Sequence, residues 1–231
     1  MTLRILTPIE ARVLATLMEK ARTVPDSYPL SLNALVLGCN QKTSREPLMD
    51  ISNDEAGEAI AALKALSLVF EGSSSRVPRF EHNFQRTANV TEPQAVLLGL
   101  LMLRGPQTPA ELRGNGERWY KFADLAAVEA VLHDLQLCGD DGGHATLLKL
   151  PRMPGAREQR WTHLLCGAPD VDAMLANAPS ASEASDLLAR LTVLENSVAR
   201  LKADNLLLRA QVMSIGDQLG IAFEASPGFD N

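Results

Sequence analysis

The sequence has little with which to build an aromatic core: Phe, Tyr and Trp make up 4% of its 231 residues, although 46% are hydrophobic. Its interior must be assembled from Leu, Val, Ile and Ala, the side chains that helical proteins pack. A mainly α fold with small β hairpins is therefore expected. Cysteine is equally scarce. Cys39, Cys138 and Cys166 are odd in number, widely spaced and set in apolar sequence, which argues against a disulfide framework and suits reduced core thiols. No apolar run approaches the roughly 20 residues that a membrane span needs, and the opening MTLRILTPIEARVL lacks the basic-then-apolar order of a secretion signal. The expectation is a cytoplasmic chain with no membrane partner.

Positive charge is not in excess either. The formal net charge is −6, but residues 1–90 contribute 0, residues 91–167 contribute −1 and residues 168–231 contribute −5. The acidity belongs to the tail, and neither globular half is a basic protein. Signatures of catalysis are also missing: no Gly-x-Ser-x-Gly elbow, no His-Glu-x-x-His helix and no Walker lysine after a glycine loop. A non-enzymatic chain without a cofactor is expected.

What is present is one pattern, written twice. Thr7-Pro8-Ile9-Glu10 combines a capping hydroxyl, a proline at the first helical position and a carboxylate three residues after the cap. Ile9, Val13, Leu14, Leu17 and Met18 follow at helical spacing. After Tyr28-Pro29, Ser31 caps a short apolar helix to Cys39, and a polar turn runs from Asn40 to Pro47. Ser52 and Glu55 then open a third helix through Ala56, Ile60, Leu63 and Leu66. A hairpin completes the unit, with Phe80, His82 and Phe84 on one strand face. In the second copy Thr91 and Thr108 begin helices, and Leu125, Val128, Val131, Leu132 and Leu135 carry the third. Its strands read Ala145–Leu150 and Arg160–Leu165 around PRMPGARE from Pro151. Helix, helix, turn, helix and hairpin is the winged-helix order. Matching Leu66 to Leu135 gives an offset of 69 residues, one small domain. The expected organisation is two winged-helix domains, 1–90 and 91–167, each with its own core, then a linker at 168–180, a helix at 181–219 and a disordered tail at 220–231.

The last helix carries a heptad seam. Leu187, Leu194, Leu201, Leu208 and Ile215 lie seven apart, and Leu191, Val198, Asn205, Val212 and Leu219 fill the alternating positions. Leu and Ile at d, with a lone Asn205 at a, favour a parallel two-stranded coiled coil, so a second copy of the chain is the expected partner. Arg190 facing Glu195 and Asp204 facing Arg209 agree with that register. The alternative is a helix folded against its own domains.

With these pieces placed, the chain resembles the YceH-like family of bacterial proteins. The resemblance is carried by YPLSLNALVLGCNQKTSREP from Tyr28, RVPRFEHNF from Arg76, AELRGNGERWYKFADL from Ala110 and PGAREQRWTHLL from Pro154. It implies a tandem winged-helix fold over about residues 7–167 and implies no activity.

Three segments invite chemistry. His163 and Cys166 with Cys138 and His144 form the strongest metal candidate, but residues three apart on a strand point to opposite faces, so a core cysteine beside a surface histidine is expected instead. Gly139-Asp140-Asp141-Gly142-Gly143 and Arg113-Gly114-Asn115-Gly116 read as turns without a phosphate signature. For duplex DNA, the fold is favourable and the third helices are not. Their outer faces show Asp54, Gly57, Glu58, Ala61 and Ala65, then Ala126, Ala127, Ala130, His133 and Asp134, whereas base reading calls for Arg, Asn or Gln. Cations sit at the edges instead: Lys42, Arg45, Arg76, Arg79, Arg113, Arg118, Lys121, Arg152, Arg157 and Arg160. In turns and wings they reach phosphates, which gives affinity with little sequence reading. The competing expectation is a scaffold that docks a partner protein on the alanine-rich third-helix faces.

Overall fold

The computed structural model describes residues 4–72, 77–137, 146–153, 156–171 and 181–219. It is mainly helical with two small antiparallel sheets, and it divides into two compact units, residues 1–176 and 177–231.

The first unit begins with α1 (Pro8–Thr23), β1 (Leu30–Ser31), α2 (Leu32–Cys39) and α3 (Asn53–Ala65). The hairpin β2 (Val69–Gly72) and β3 (Arg79–His82) follows, then the short α4 (Phe84–Ala88). The second half comprises α5 (Glu92–Arg104), α6 (Pro109–Gly116) and α7 (Leu125–Leu137), closed by β4 (Leu147–Lys149) and β5 (Trp161–His163). Local chemistry sets the starts. Thr7 accepts from the Glu10 amide while Glu10 accepts from the Thr7 amide, and Ser52/Glu55 and Thr108/Glu111 repeat the exchange, satisfying donors a helix end leaves open.

The two halves repeat one another more closely than their sequences suggest. β1 joins the hairpin through Leu30 opposite Phe80, and Gln107 forms the matching bridge to Trp161. Arg79 Nη1 donates to the Pro29 carbonyl at 2.7 Å, and Arg160 Nη1 donates to the Pro106 carbonyl at 2.8 Å. The third helices start at Asn53 and Leu125 and end at Ala65 and Leu137, 72 residues apart in both cases. Buried Ala56, Ile60 and Leu63 correspond at that spacing to buried Val128, Leu132 and Leu135. The offset of 69 therefore gives way to 72, because leucines three apart near the helix ends allow two registers and only burial chooses between them. Leu125, matched to the core side from sequence, is exposed. Phe84, assigned to a strand, instead opens α4, where its ring is fully buried.

The expectation of two separate cores is not met: one continuous buried cluster runs through both halves. At its centre α1 packs against α5. α5 is apolar on every face from Ala95 to Leu103, and all nine residues are buried, as a helix inside a protein must be. Its five leucines contribute about 2 kcal/mol each by burial. Gly99 makes the close approach possible, since a Cβ there would stand 2.7 Å from Trp119 Cζ3 and 3.2 Å from Met18 Cε. Polar ties cross the same boundary: the Leu6 amide to the Leu165 carbonyl at 2.8 Å, the Glu46 amide to the Leu103 carbonyl at 2.7 Å, and an Arg22–Glu92 ion pair.

The repeat also places His82 and His163 alike at the ends of β3 and β5, opposite Val69 and Leu147. Each has a buried Nδ1 with no hydrogen-bond partner among the described residues. Burial pushes both imidazoles down to about 4, with Arg22 adding to the effect at His82. Both are neutral in the folded chain and take up protons near pH 6.5 when unfolded. Stability should thus be nearly flat from about pH 6.5 to about 8 and fall as pH drops from 6.5 towards 4, by on the order of 3 kcal/mol per histidine. Urea unfolding across that range checks this, and a slope that persists unchanged in the H82N/H163N variant contradicts it.

Candidate nucleic-acid interface

The turn between α2 and α3 is held from beneath by two arginines. Arg12 is 1% exposed and donates to the Cys39 carbonyl at 3.2 Å and the Pro47 carbonyl at 2.6 Å. Arg45 donates through Nε and Nη2 to the Gly38 carbonyl and forms a two-point ion pair with Glu19. Burial pushes the Glu19 carboxyl up, but the Arg45 hydrogen bonds and charge outweigh it and hold the group below its ordinary range. Asn40 completes the clamp by exchanging hydrogen bonds with both backbone groups of Ile51. Arg45 was expected to meet phosphate. At 5% exposure, with its donors spent, it is a structural pin.

In the second half the corresponding surface is open. A cleft of about 340 Å³ lies beside α6 and α7, lined by Arg113, Glu117, Lys121, Phe122 and Leu125 among others. The Arg113–Gly116 segment, expected as a turn, is the last part of α6, so Arg113 projects from a helix and donates to the Ala123 carbonyl at 3.4 Å. Arg118 and Lys121 follow in the connecting segment and are exposed.

The hairpin cations are divided in the same way. Arg160 forms a two-point ion pair with Glu111 at 2.6 and 2.7 Å besides its bond to Pro106, so it braces β5 against α6. Arg152 turns back onto its own loop, donating to the Ala156 and Arg157 carbonyls at 2.8 and 2.7 Å. Arg79 is exposed but tied to Pro29. Lys42, Arg118, Lys121 and Arg157 are exposed and make no side-chain hydrogen bond or ion pair among the described residues. Arg76 lies outside the described residues, as do Cys138, His144 and the glycine run from Gly139.

The outward faces of α3 and α7 have the character read from sequence. Asp54, Glu58, Ala61 and Ala65 are exposed on one, Ala126, Ala130, His133 and Asp134 on the other, with Gly57 and Ala127 half-buried. None presents the forked donors of base reading. His163 is not a surface residue but is largely buried. Cys166 donates weakly to the Thr7 carbonyl at 3.8 Å, and burial pushes its thiol up to about 11; burial raises Cys39 as well. Both therefore stay protonated at neutral pH and are poor nucleophiles.

The second unit is described by α8 (Ala181–Leu219). Leu191, Leu194, Val198, Leu201, Leu208, Val212 and Ile215 are all about half or more exposed along it, and Asn205 is exposed among them. The side chains of Leu187 and Leu219, the linker from 172 to 180 and the tail from 220 lie outside the described residues.

A family model described as a protein of unknown function, DUF480, matches residues 6–156. A UPF0502 protein of Polaromonas sp. (strain JS666 / ATCC BAA-500) is 74% identical, covering 96% of this chain and 94% of the relative. One from Polaromonas naphthalenivorans (strain CJ2) is 62% identical over 86% and 96%, and one from Verminephrobacter eiseniae (strain EF01-2) is 58% identical over 94% and 88%. The YceH-like resemblance is consistent with these matches, and three of its four stretches fall within the family region.

The division between pinned and free cations is measurable as stability. Arg45→Ala leaves the largely buried Glu19 carboxylate with Lys20 at 3.3 Å as its one ion-pair partner among the described residues, and should cost about 2 kcal/mol in urea unfolding. Arg157→Ala should cost under about 0.5 kcal/mol. Equal effects would contradict the division.

Proposed function

The chain belongs to the DUF480 family of bacterial proteins, whose relatives carry the name UPF0502 protein, and we propose that it is a non-enzymatic, dimeric tandem winged-helix protein that associates with duplex DNA through phosphate contacts. The observation that carries this reading is the doubled order of helix, short strand or bridge, helix, helix and hairpin, with unpaired cations placed around the second and third helices. In such a unit the turn before the third helix and the tip of the hairpin lie nearest the DNA backbone. Lys42 falls in the first turn, Arg113, Arg118 and Lys121 in and beside the second, and Arg157 in the second wing. These reach phosphate and not base edges, so binding is sequence-tolerant and salt-sensitive. Arg45 and Arg160 act beneath that surface as braces.

Dimerisation supplies the second half of the affinity. A 39-residue helix whose leucines face water is not stable alone. Pairing along the seam from Leu187 to Leu219 in a parallel coil keyed by Asn205 would bury them and bring two tandem modules to one duplex. The exposed small faces of α3 and α7, with Ala61 and Ala130 at their centres, favour one other reading, a scaffold that docks a partner protein there.

Binding to random-sequence duplex should fall linearly in log affinity with log salt, and replacing Arg113, Arg118 and Lys121 by Ala should reduce the slope by about two to three. No binding at low salt, or an unchanged slope, rejects the phosphate reading. Sedimentation of the full chain should give a dimer at micromolar concentration that Leu201→Pro converts to monomer. A wild-type monomer there rejects the coil.

A further inference from the structure

Where the α2–α3 turn meets the second half there is an open cleft of about 330 Å³, with Ser44 and Glu46 on one side and Arg104, Gln107 and Asn115 on the other. Most of the charge in its walls is already matched, Arg45 with Glu19 and Arg160 with Glu111. Two groups are left over. Arg104 Nη2 donates to Ser44 Oγ at 2.6 Å and forms no ion pair among the described residues. The guanidinium is half-buried, and burial together with the nearby Arg45 lowers its pKa despite the opposing pull of Glu19. The Glu46 side chain passes over Gly105, its Cγ 3.8 Å from where a Cβ would stand, and its carboxylate has no hydrogen bond or ion pair among the described residues. A cation and an anion that form no ion pair among the described residues thus line one cleft without pairing to each other, the Glu46 charge being felt by the buried Arg12 and the Arg104 charge by Glu19.

Neutral groups add donors and acceptors to the same walls. Ser44 holds a backbone φ of +62° and, having accepted from Arg104, retains its own O–H to donate. Gln107 is fixed by donating to the Leu100 carbonyl at 3.2 Å and accepting from Asn115 Nδ2 at 2.7 Å, which leaves the Asn115 carbonyl oxygen able to accept. One end offers a guanidinium and a hydroxyl proton, the geometry a carboxylate takes. Across the cleft the Glu46 carboxylate suits an ammonium.

We propose that this cleft is a binding site for a small zwitterion of the α-amino acid class, its carboxylate held by Arg104 and Ser44 and its ammonium by Glu46. A bare anion would meet the Glu46 carboxylate, and a bare amine would meet Arg104. The walls come from both halves of the first unit, so an occupant bridges them. The site stands independently of DNA association.

The test is a ¹H–¹⁵N titration of the full chain, following the Arg104 Nε and the Gln107 and Asn115 amide signals, with each standard amino acid and with acetate, ethylamine and inorganic phosphate. At least one amino acid should shift these signals saturably at millimolar concentration or below, while acetate and ethylamine do not. Arg104→Met and Glu46→Gln should each weaken that binding at least tenfold, with the remaining spectrum unchanged. Absence of a saturable shift with every amino acid overturns the proposal. So does tighter binding of acetate or phosphate that Glu46→Gln leaves intact, which would mark a simple anion site.

Discussion

The packing of α1 against α5 is the contact on which the two halves depend, and Gly99 lets the Trp119 indole and the Met18 methyl lie directly against the backbone of α5 beside it. Both helices are the first of their repeat, and both are buried along their central turns. Neither half could keep its first helix in water without exposing a broad apolar face. The pairing therefore explains why the two halves share one core, and why Leu6 is tied to Leu165 at the end of the second half.

A shared core fixes the spacing of everything mounted on it. The α2–α3 turn is pinned by Arg12 and Arg45, the second hairpin by Arg160 on Glu111, and the cations outside those braces stand on rigid ground. This arrangement sets where each of those cations stands on the fold. It also creates the cleft at the boundary, because the turn of one half and the end of α5 in the other meet there with their backbones joined by Glu46 and Leu103.

Much of this was legible in the sequence, for reasons that are local. Thr7/Glu10, Ser52/Glu55 and Thr108/Glu111 announce helix starts because a capping box is satisfied within four residues. The outward faces of α3 and α7 follow from helical period alone. What escaped depends on distant partners. Nothing near Arg45 shows that Glu19, 26 residues away, will claim its guanidinium, and Arg160 finds Glu111 across 49 residues. Leu30 and Ser31 are too short a strand to announce themselves before β3 is in place. The unbroken apolar run from Ala95 to Leu103 was a signal for the shared core, since a small domain's surface helix keeps a polar face and this one has none.

The central claim, that α1 and α5 make both halves one cooperative body, is tested most directly by native-state hydrogen exchange of the full chain in increasing urea. Core amides of α1 around Leu14 and of α5 around Leu98 should converge on one opening free energy with one urea dependence, as members of a single unfolding unit do. Two separate isotherms, with α1 opening while α5 stays protected, would contradict it.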